Sequence, residues 1–326
     1  MKYLFSLMLL LFSFSCFSKS LDAPDFSKVK QNDLSWNEWI IKIKKELEKE
    51  RYNNSSFELI DDLSFNPRVI ELDRKQPEFK LTFDQYLNKV LNDKKKRDIV
   101  KKFNENKNLL NKIQLKYNVD PKIIVALWGI ETSFGKYTGK FNILRSLASL
   151  SYDGRRTSFF YKEFKNSLKI LEQGHFSSKD FIGSWAGAFG QTQFMPSTFM
   201  NYAVDFDGDK KKNLFSKEDA LASGANYLKK IGWDDNLVWG EKIDVKIDKQ
   251  LKELSKTKKY YDLDYWEKMG INLNKEYEPN QKLRLVIPDS NFNDCYLVSK
   301  NFDVILGWNR SNYFALTVFL FSDEIL

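Results

Sequence analysis

Glu131 is the residue whose placement points most directly to chemistry. The run before it, I-I-V-A-L-W-G-I from Ile123 to Ile130, is apolar all round, and a helix of that kind is buried on every side. A carboxylate at the end of such a helix is costly unless it is paired or protonated. Two readings are open. In one, a cation such as Arg145, Arg155 or Arg156 neutralises it in the core. In the other, desolvation among Trp128, Ile130 and Phe134 raises its pKa and makes it a general acid near neutral pH.

The rest of the inventory narrows the chemistry. His175 is the single histidine, so any Ser-His-Asp, Cys-His or multi-histidine zinc site would have to run through it. It follows E-Q-G at the end of a helical stretch, where an exposed or capping histidine is ordinary. No glycine loop of the Walker or dinucleotide type occurs. Carboxylate chemistry remains for an enzyme, and glycosidic cleavage uses carboxylates.

A second acidic group has metal-binding spacing. D-F-D-G-D places Asp205, Asp207 and Asp209 at the first, third and fifth positions of an EF-hand-like loop. Lys211 can add a backbone carbonyl at the seventh, and Asn213 lies at the ninth. Lys210 and Ser216 stand where an ordinary EF-hand has Gly and Glu, and the lysines at 210–212 oppose a cation. The competing reading is a metal-free acidic turn.

These residues need elements to hold them. Asp120 and Pro121 supply an N-cap and a first helical residue, and Gly135 is a stop signal. Apolar residues recur at helical spacing in Trp36 to Glu50, Leu81 to Leu91, Ile99 to Tyr117, Ile143 to Ser151, Thr157 to Gln173, Ala220 to Lys230 and Ser311 to Leu326. The Lys94 to Arg97 run reads as a solvated helix end or loop. Period-two alternation predicts strands at Lys242 to Asp248, Lys282 to Ile287 and Cys295 to Ile305. The fold class is therefore α+β, mainly α-helical, with a small β-rich piece between helices.

Composition sets the outer limits. The chain has 326 residues, 42% hydrophobic, which is enough for a substantial core. Lys and Arg exceed Asp and Glu by 52 to 44, a spread-out excess that suits a solvated surface or attraction to a polyanion, whether nucleic acid, a membrane surface or a cell wall bearing peptide carboxylates, and charge alone does not choose among them. Lys2, the apolar stretch Leu4 to Phe14 and the serines that follow have the order of a secretory signal, too short to span a bilayer. Cys16 ends that segment and offers a lipid-attachment site, although Ser13 stands where a bacterial lipobox usually has Leu. With Cys295 as the only other cysteine, this is not a disulfide scaffold. An export signal without a concentrated basic patch argues against nucleic acid as a partner.

The segment Ile123 to Gly139, I-I-V-A-L-W-G-I-E-T-S-F-G-K-Y-T-G, resembles the catalytic segment of the lytic murein transglycosylase B family, glycoside hydrolase family 103. Four further blocks follow in the family's order. They are S-L-A-S-L-S-Y-D-G-R-R (Ser146 to Arg156), G-S-W-A-G-A-F-G-Q-T-Q-F-M-P-S-T (Gly183 to Thr198), Y-A-V-D-F-D-G-D (Tyr202 to Asp209) and W-N-R-S-N-Y (Trp308 to Tyr313). The resemblance implies a lysozyme-like core with Glu131 as the sole catalytic acid/base. It places Tyr86, Arg155, Arg156, Ser184, Gln193, Phe194, Tyr227 and Asn309 around a glycan groove. It also implies structural calcium in the acidic loop, closed by Asp219, and no catalytic cofactor.

The implied reaction cleaves the β-1,4 bond between N-acetylmuramic acid and N-acetylglucosamine in peptidoglycan, leaving 1,6-anhydro ends. The alternatives are a hydrolytic muramidase and a non-catalytic wall-binding protein. The expected layout is a signal peptide (1–20), an N-terminal helical region (21–115), a catalytic core (116–233), a small β-rich domain (234–305) and a C-terminal helix returning to the core (306–326). A periplasmic monomer is expected, with anchoring through Cys16 as a variant.

Overall fold

The computed structural model describes residues 34–75, 81–289 and 294–325. The expected signal peptide and Cys16 lie outside the described residues. In chain order the helices begin with α1 (Trp36–Lys49), α2 (Asn54–Asp61), α3 (Pro67–Arg74), α4 (Phe83–Val90), α5 (Asp93–Glu105), α6 (Lys107–Tyr117) and α7 (Pro121–Thr132). They continue with α8 (Ile143–Tyr152), α9 (Thr157–Glu172), α10 (Pro196–Tyr202) and α11 (Lys217–Lys230). The last are α12 (Lys249–Thr257), α13 (Leu263–Lys268), α14 (Lys300–Trp308) and α15 (Asn312–Ser322). Strands β1 (Phe141–Asn142) and β2 (Ile182–Gly183) form a two-stranded sheet. Strands β3 (Gly240–Ile243), β4 (Tyr261–Asp262), β5 (Lys282–Val286) and β6 (Cys295–Val298) form an antiparallel sheet in the order β3-β6-β5-β4. The α+β, mainly helical class read from the sequence is the class observed.

The described residues divide into two compact units, 34–75 with 131–223 and 81–130 with 224–325. In the first, α8 packs on α9, and α1 carries a capping box in which Ser35 and Glu38 satisfy each other's backbone amides. Trp36, Trp39, Phe65 and Tyr152 form an aromatic cluster with ring centroids 5.2–5.8 Å apart. Arg145 donates to the carbonyls of Ser64 and Phe65, so α8 fixes the chain entering α3.

In the second unit the four-stranded sheet has its own apolar cluster. Ile243, Leu251, Trp266, Ile271, Leu283, Leu285, Cys295 and Leu297 are all buried there. Helix α15 is apolar around its circumference and buried from Phe314 to Phe319. Among the described residues, no helix is long and apolar enough to cross a membrane.

Several expected boundaries differ. Ile99 to Tyr117 is two helices, because the chain breaks at Asn106, which leaves α-helical geometry and donates its side-chain amide to the Lys102 carbonyl. The Lys94 to Arg97 run is, as expected, a helix end: it occupies the first turn of α5, where Lys96 pairs with Glu324. The strand expected at Lys242 to Asp248 ends at Ile243, opposite Cys295, and Asp248 instead caps α12 through the amide of Leu251. Cys295 to Ile305 is a strand only to Val298. From Lys300 it is α14, and Phe302 and Ile305 are buried at helical spacing.

Glu241 on β3 shows how the sheet holds the following loop. It is buried and accepts from the amides of Asn274 and Lys275, the side chain of Asn274 and the hydroxyl of Tyr277. Burial pushes its pKa up, but these donors outweigh burial and hold it below the ordinary carboxylate range. A depressed folded-state pKa gives stability that is present above the unfolded pKa and is lost as pH falls through the folded value. Glu241→Gln should therefore cost about 1.5–3 kcal/mol at neutral pH, the range for bonds to a charged group. The deficit should shrink as pH falls below about 4.3, the ordinary glutamate value. Denaturant titrations at pH 7 and pH 3 check both statements.

Candidate active site

Helix α7 starts as the sequence predicts, with Asp120 accepting the amide of Lys122 and Pro121 in the first position. Ile123 to Trp128 are buried, and Glu131, in the last turn, is 9% exposed. The helix stops one residue later. Ser133, Phe134 and Gly135 all have positive φ, of 50°, 61° and 80°, and two of the three carry a β-carbon. A left-handed residue with a β-carbon costs about 1–2 kcal/mol, so this turn has to be held.

Thr132 holds it. Its hydroxyl accepts the amide of Gly135 at 3.0 Å and donates to the carbonyl of Gln191 at 2.8 Å, while its carbonyl accepts the amide of Tyr137. A β-carbon on Gly135 would collide with the end of the Gln191 side chain, which would have to shift. Gln191 is fixed in turn by its amide to the Leu214 carbonyl and its side chain to the Phe215 carbonyl. Sequence reading passed over Thr132 and Gln191. The signal in the sequence is that each sits inside a matched block, Thr132 next to Glu131 and Gln191 two residues before Gln193.

Ser184, Gln193 and Phe194 belong to the same unit as Glu131. The Ser184 hydroxyl accepts the amide of Ala188 and shapes the turn. Gln193 is half-buried at φ 51°, and its side-chain nitrogen donates to the carbonyls of Thr138 and Gly190. That leaves its amide oxygen as the end available to a ligand. Phe194 is buried and pairs through its backbone with Phe189, which makes packing its main role. Arg155 and Arg156 both bond to the buried Asp73. Of the cations considered as core partners for Glu131, Arg145 and Arg155 bond elsewhere.

The other three candidates lie in the second unit. Tyr86 on α4 is buried, with its ring 5.8 Å from that of Tyr313. Tyr227 donates its hydroxyl to the Gly307 carbonyl and meets Trp308 edge-on. Asn309 ends α14 and accepts the amide of Ser311.

The acidic loop brings three carboxylates together. One carboxylate oxygen each from Asp205, Asp207 and Asp209 lies within 4.8 Å of the others. That separation matches two oxygens on one calcium ion, whose ligand distances are about 2.3–2.6 Å. Asp205 accepts the amides of Gly208 and Lys210, Asp207 that of Asp209, and Asp209 that of Lys211. Lys210 occupies the position where an EF-hand has glycine, and it takes the left-handed turn itself at φ 70°. Asp219 is fully buried, and its oxygens accept the amides of Phe206, Asp207 and Asn213, so it fastens the loop from beneath. Burial pushes its pKa up against these bonds. His175 accepts the Lys212 amide at Nδ1 and supports the same loop, and burial pulls its pKa down. The oxygen donors fit calcium.

A buried carboxylate closes an apolar helix beside a pinned turn, and the EF-hand-like loop lies in the same unit as that carboxylate. The chain belongs to the transglycosylase SLT family, whose domain it matches over residues 35–323. It is 34% identical over 221 residues to membrane-bound lytic murein transglycosylase B of Escherichia coli K12; the match covers 66% of this chain and 60% of that relative's length. Among solved structures it resembles SltB3 from Pseudomonas aeruginosa in complexes with NAG-NAM-pentapeptide and with NAG-anhNAM-pentapeptide. The TM-score is 0.84 at 34% identity, covering 89% of this chain and 79% of that one. It also resembles the Escherichia coli lytic transglycosylase Slt35 in complex with calcium, with a TM-score of 0.73 at 26% identity, covering 92% and 94%.

Proposed function

We propose that the protein is a lytic transglycosylase of peptidoglycan, with Glu131 as its single acid/base. The observation that carries this reading is the burial of Glu131 at the end of α7, beside a turn locked by Thr132 and Gln191. Glu131 first protonates the oxygen leaving C1 of N-acetylmuramic acid. The resulting carboxylate then takes the proton of that sugar's 6-hydroxyl, which attacks C1 and closes the 1,6-anhydro ring. The substrate's N-acetyl group stabilises the developing positive charge, so no second carboxylate is required. The relative SltB3, with both a NAM and an anhydro-NAM ligand in its complexes, supports this choice.

The proposed substrate contacts are Ser184, Gln193, Phe194, Arg155 and Arg156 in the first unit and, separately, Tyr86, Tyr227 and Asn309 in the second. Calcium is proposed at Asp205, Asp207 and Asp209, with Lys211 contributing backbone and Asp219 closing the loop. Its role there is structural, a reading supported by the calcium complex of Slt35. Export to the periplasm, as a monomer with Cys16 available for lipid attachment, completes the reading.

Glu131→Gln should keep the melting temperature and lower strand cleavage by at least about a hundredfold, since general acid–base catalysis contributes 10²–10⁴. Retention of most activity in turnover assays would remove Glu131 from the reaction. Calcium at about a hundred times its dissociation constant should stabilise the fold by about 2.7 kcal/mol. Thermal melts should show that gain in the wild type and lose it in Asp205→Ala. An unchanged wild-type melt would leave the loop a metal-free turn.

A further inference from the structure

Sequence reading treats Arg155 and Arg156 as equals, but the structure separates them. Both guanidinium groups bond to Asp73, which is 1% exposed at the end of α3. Arg156 is 21% exposed, lies over the Phe160 ring at 4.9 Å and gives Nη2 to Asp73 Oδ1. Arg155 is 45% exposed and is held by Nη1 alone, at 3.0 Å from the Asp73 carbonyl and 3.1 Å from Oδ2. Nε and Nη2, the two nitrogens of its opposite edge, have no bond among the described residues.

The loop is built to keep this arrangement. Gly154 and Arg156 flank Arg155 with φ of 90° and 58°, and the neighbouring pair Arg74–Asp153 ties the same loop to α3 a second time. Two guanidinium charges on one carboxylate leave the cluster with a net charge of about +1, while Arg74 and Asp153 cancel. A half-exposed guanidinium with two parallel donors free is a receptor for a planar anion, and carboxylates take it bidentately.

We infer that Asp73 is a positioning residue, which grips Arg155 by one terminal nitrogen and presents its other edge to a carboxylate on the peptide stem of the glycan strand. Arg156 is the buried anchor of the pair. This rests on the proposed action on peptidoglycan, whose strands carry their carboxylates on the peptides. Holding the guanidinium in place lowers the ordering cost of binding, so loss of Asp73 acts on affinity and not on the chemical step.

The test compares strands with intact stem peptides and the same strands stripped of peptide by an amidase, with the lactyl carboxylates this exposes converted to amides. It reads the dissociation constant by equilibrium binding, and KM and kcat by turnover. For peptide-bearing strands, Asp73→Asn and Arg155→Gln should each raise the dissociation constant and KM about tenfold, the worth of one charge-assisted contact, with kcat held. The rise for stripped strands should be much smaller. The double variant should be no worse than Arg155→Gln, because both changes remove one device. Arg155→Lys keeps the charge without the fork and should behave like Arg155→Gln. It sits at a half-exposed position and so reads the geometry even if Asp73→Asn does not fold.

Wild-type affinity in folded Asp73→Asn, wild-type affinity in Arg155→Lys, or equal weakening on both strands would each overturn the inference. Binding by the wild type without cleavage would count against the proposed reaction instead, and the contrast between the two strands would still decide the role of Asp73.

Discussion

The hydroxyl of Thr132, bonded at once to the amide of Gly135 and the carbonyl of Gln191, is the contact on which the site depends. The turn after α7 runs through three left-handed residues, and the two with β-carbons together cost about 2–4 kcal/mol. Hydrogen bonds net about 1 kcal/mol each, so the local bonds of Thr132 roughly offset that strain and leave little surplus. The turn therefore persists because Gln191 is itself immobilised, by the carbonyls of Leu214 and Phe215. The neighbour of Glu131 is thus fixed by a chain of bonds that reaches the loop in front of α11. Rigid placement of one carboxylate matters when that carboxylate has to serve twice, first as acid and then as base.

The same logic of fastening from behind recurs in each unit. Asp219 binds three amides of the acidic loop, which brings the oxygens of Asp205, Asp207 and Asp209 within reach of one ion. Asp73 holds two arginines of the loop between α8 and α9. Glu241 gathers the loop at 274–277 beneath the sheet. Each of these carboxylates is buried and accepts from two or more donors, which is the condition under which a buried charge can be borne. Glu131 is buried at the end of an apolar helix.

Local pattern carried much of this. The capped start of α7, its apolar circumference and the acid at its end were legible because helical periodicity and capping are properties of neighbouring residues. D-F-D-G-D was legible for the same reason. What stayed hidden was pairing across the chain. Nothing around Asp73 in E-L-D-R points to Arg155 and Arg156, whose bonds to it span 82 and 83 residues. The strand at Cys295 was extended too far because Phe302 and Ile305 continue an apolar texture that fits either period until a partner strand runs out. Arg155 and Arg156 looked interchangeable because exposure, which separates them, is a property of the folded loop. The resemblance to a known family supplied candidate groove residues, but not the bonds that already engage the Gln193 side-chain nitrogen and the Tyr227 hydroxyl.

The claim that joins these observations is that one carboxylate suffices, because the attacking hydroxyl is part of the substrate and enjoys the effective concentration of an intramolecular group. A hydrolase of the retaining or inverting kind would need a second carboxylate to serve as nucleophile or to activate water. Mass analysis of the ends released from purified peptidoglycan by the wild-type protein decides between them. The account predicts anhydro ends, lighter by one water than hydrolytic ends and resistant to borohydride. Mostly reducible ends would contradict it and make the protein a muramidase.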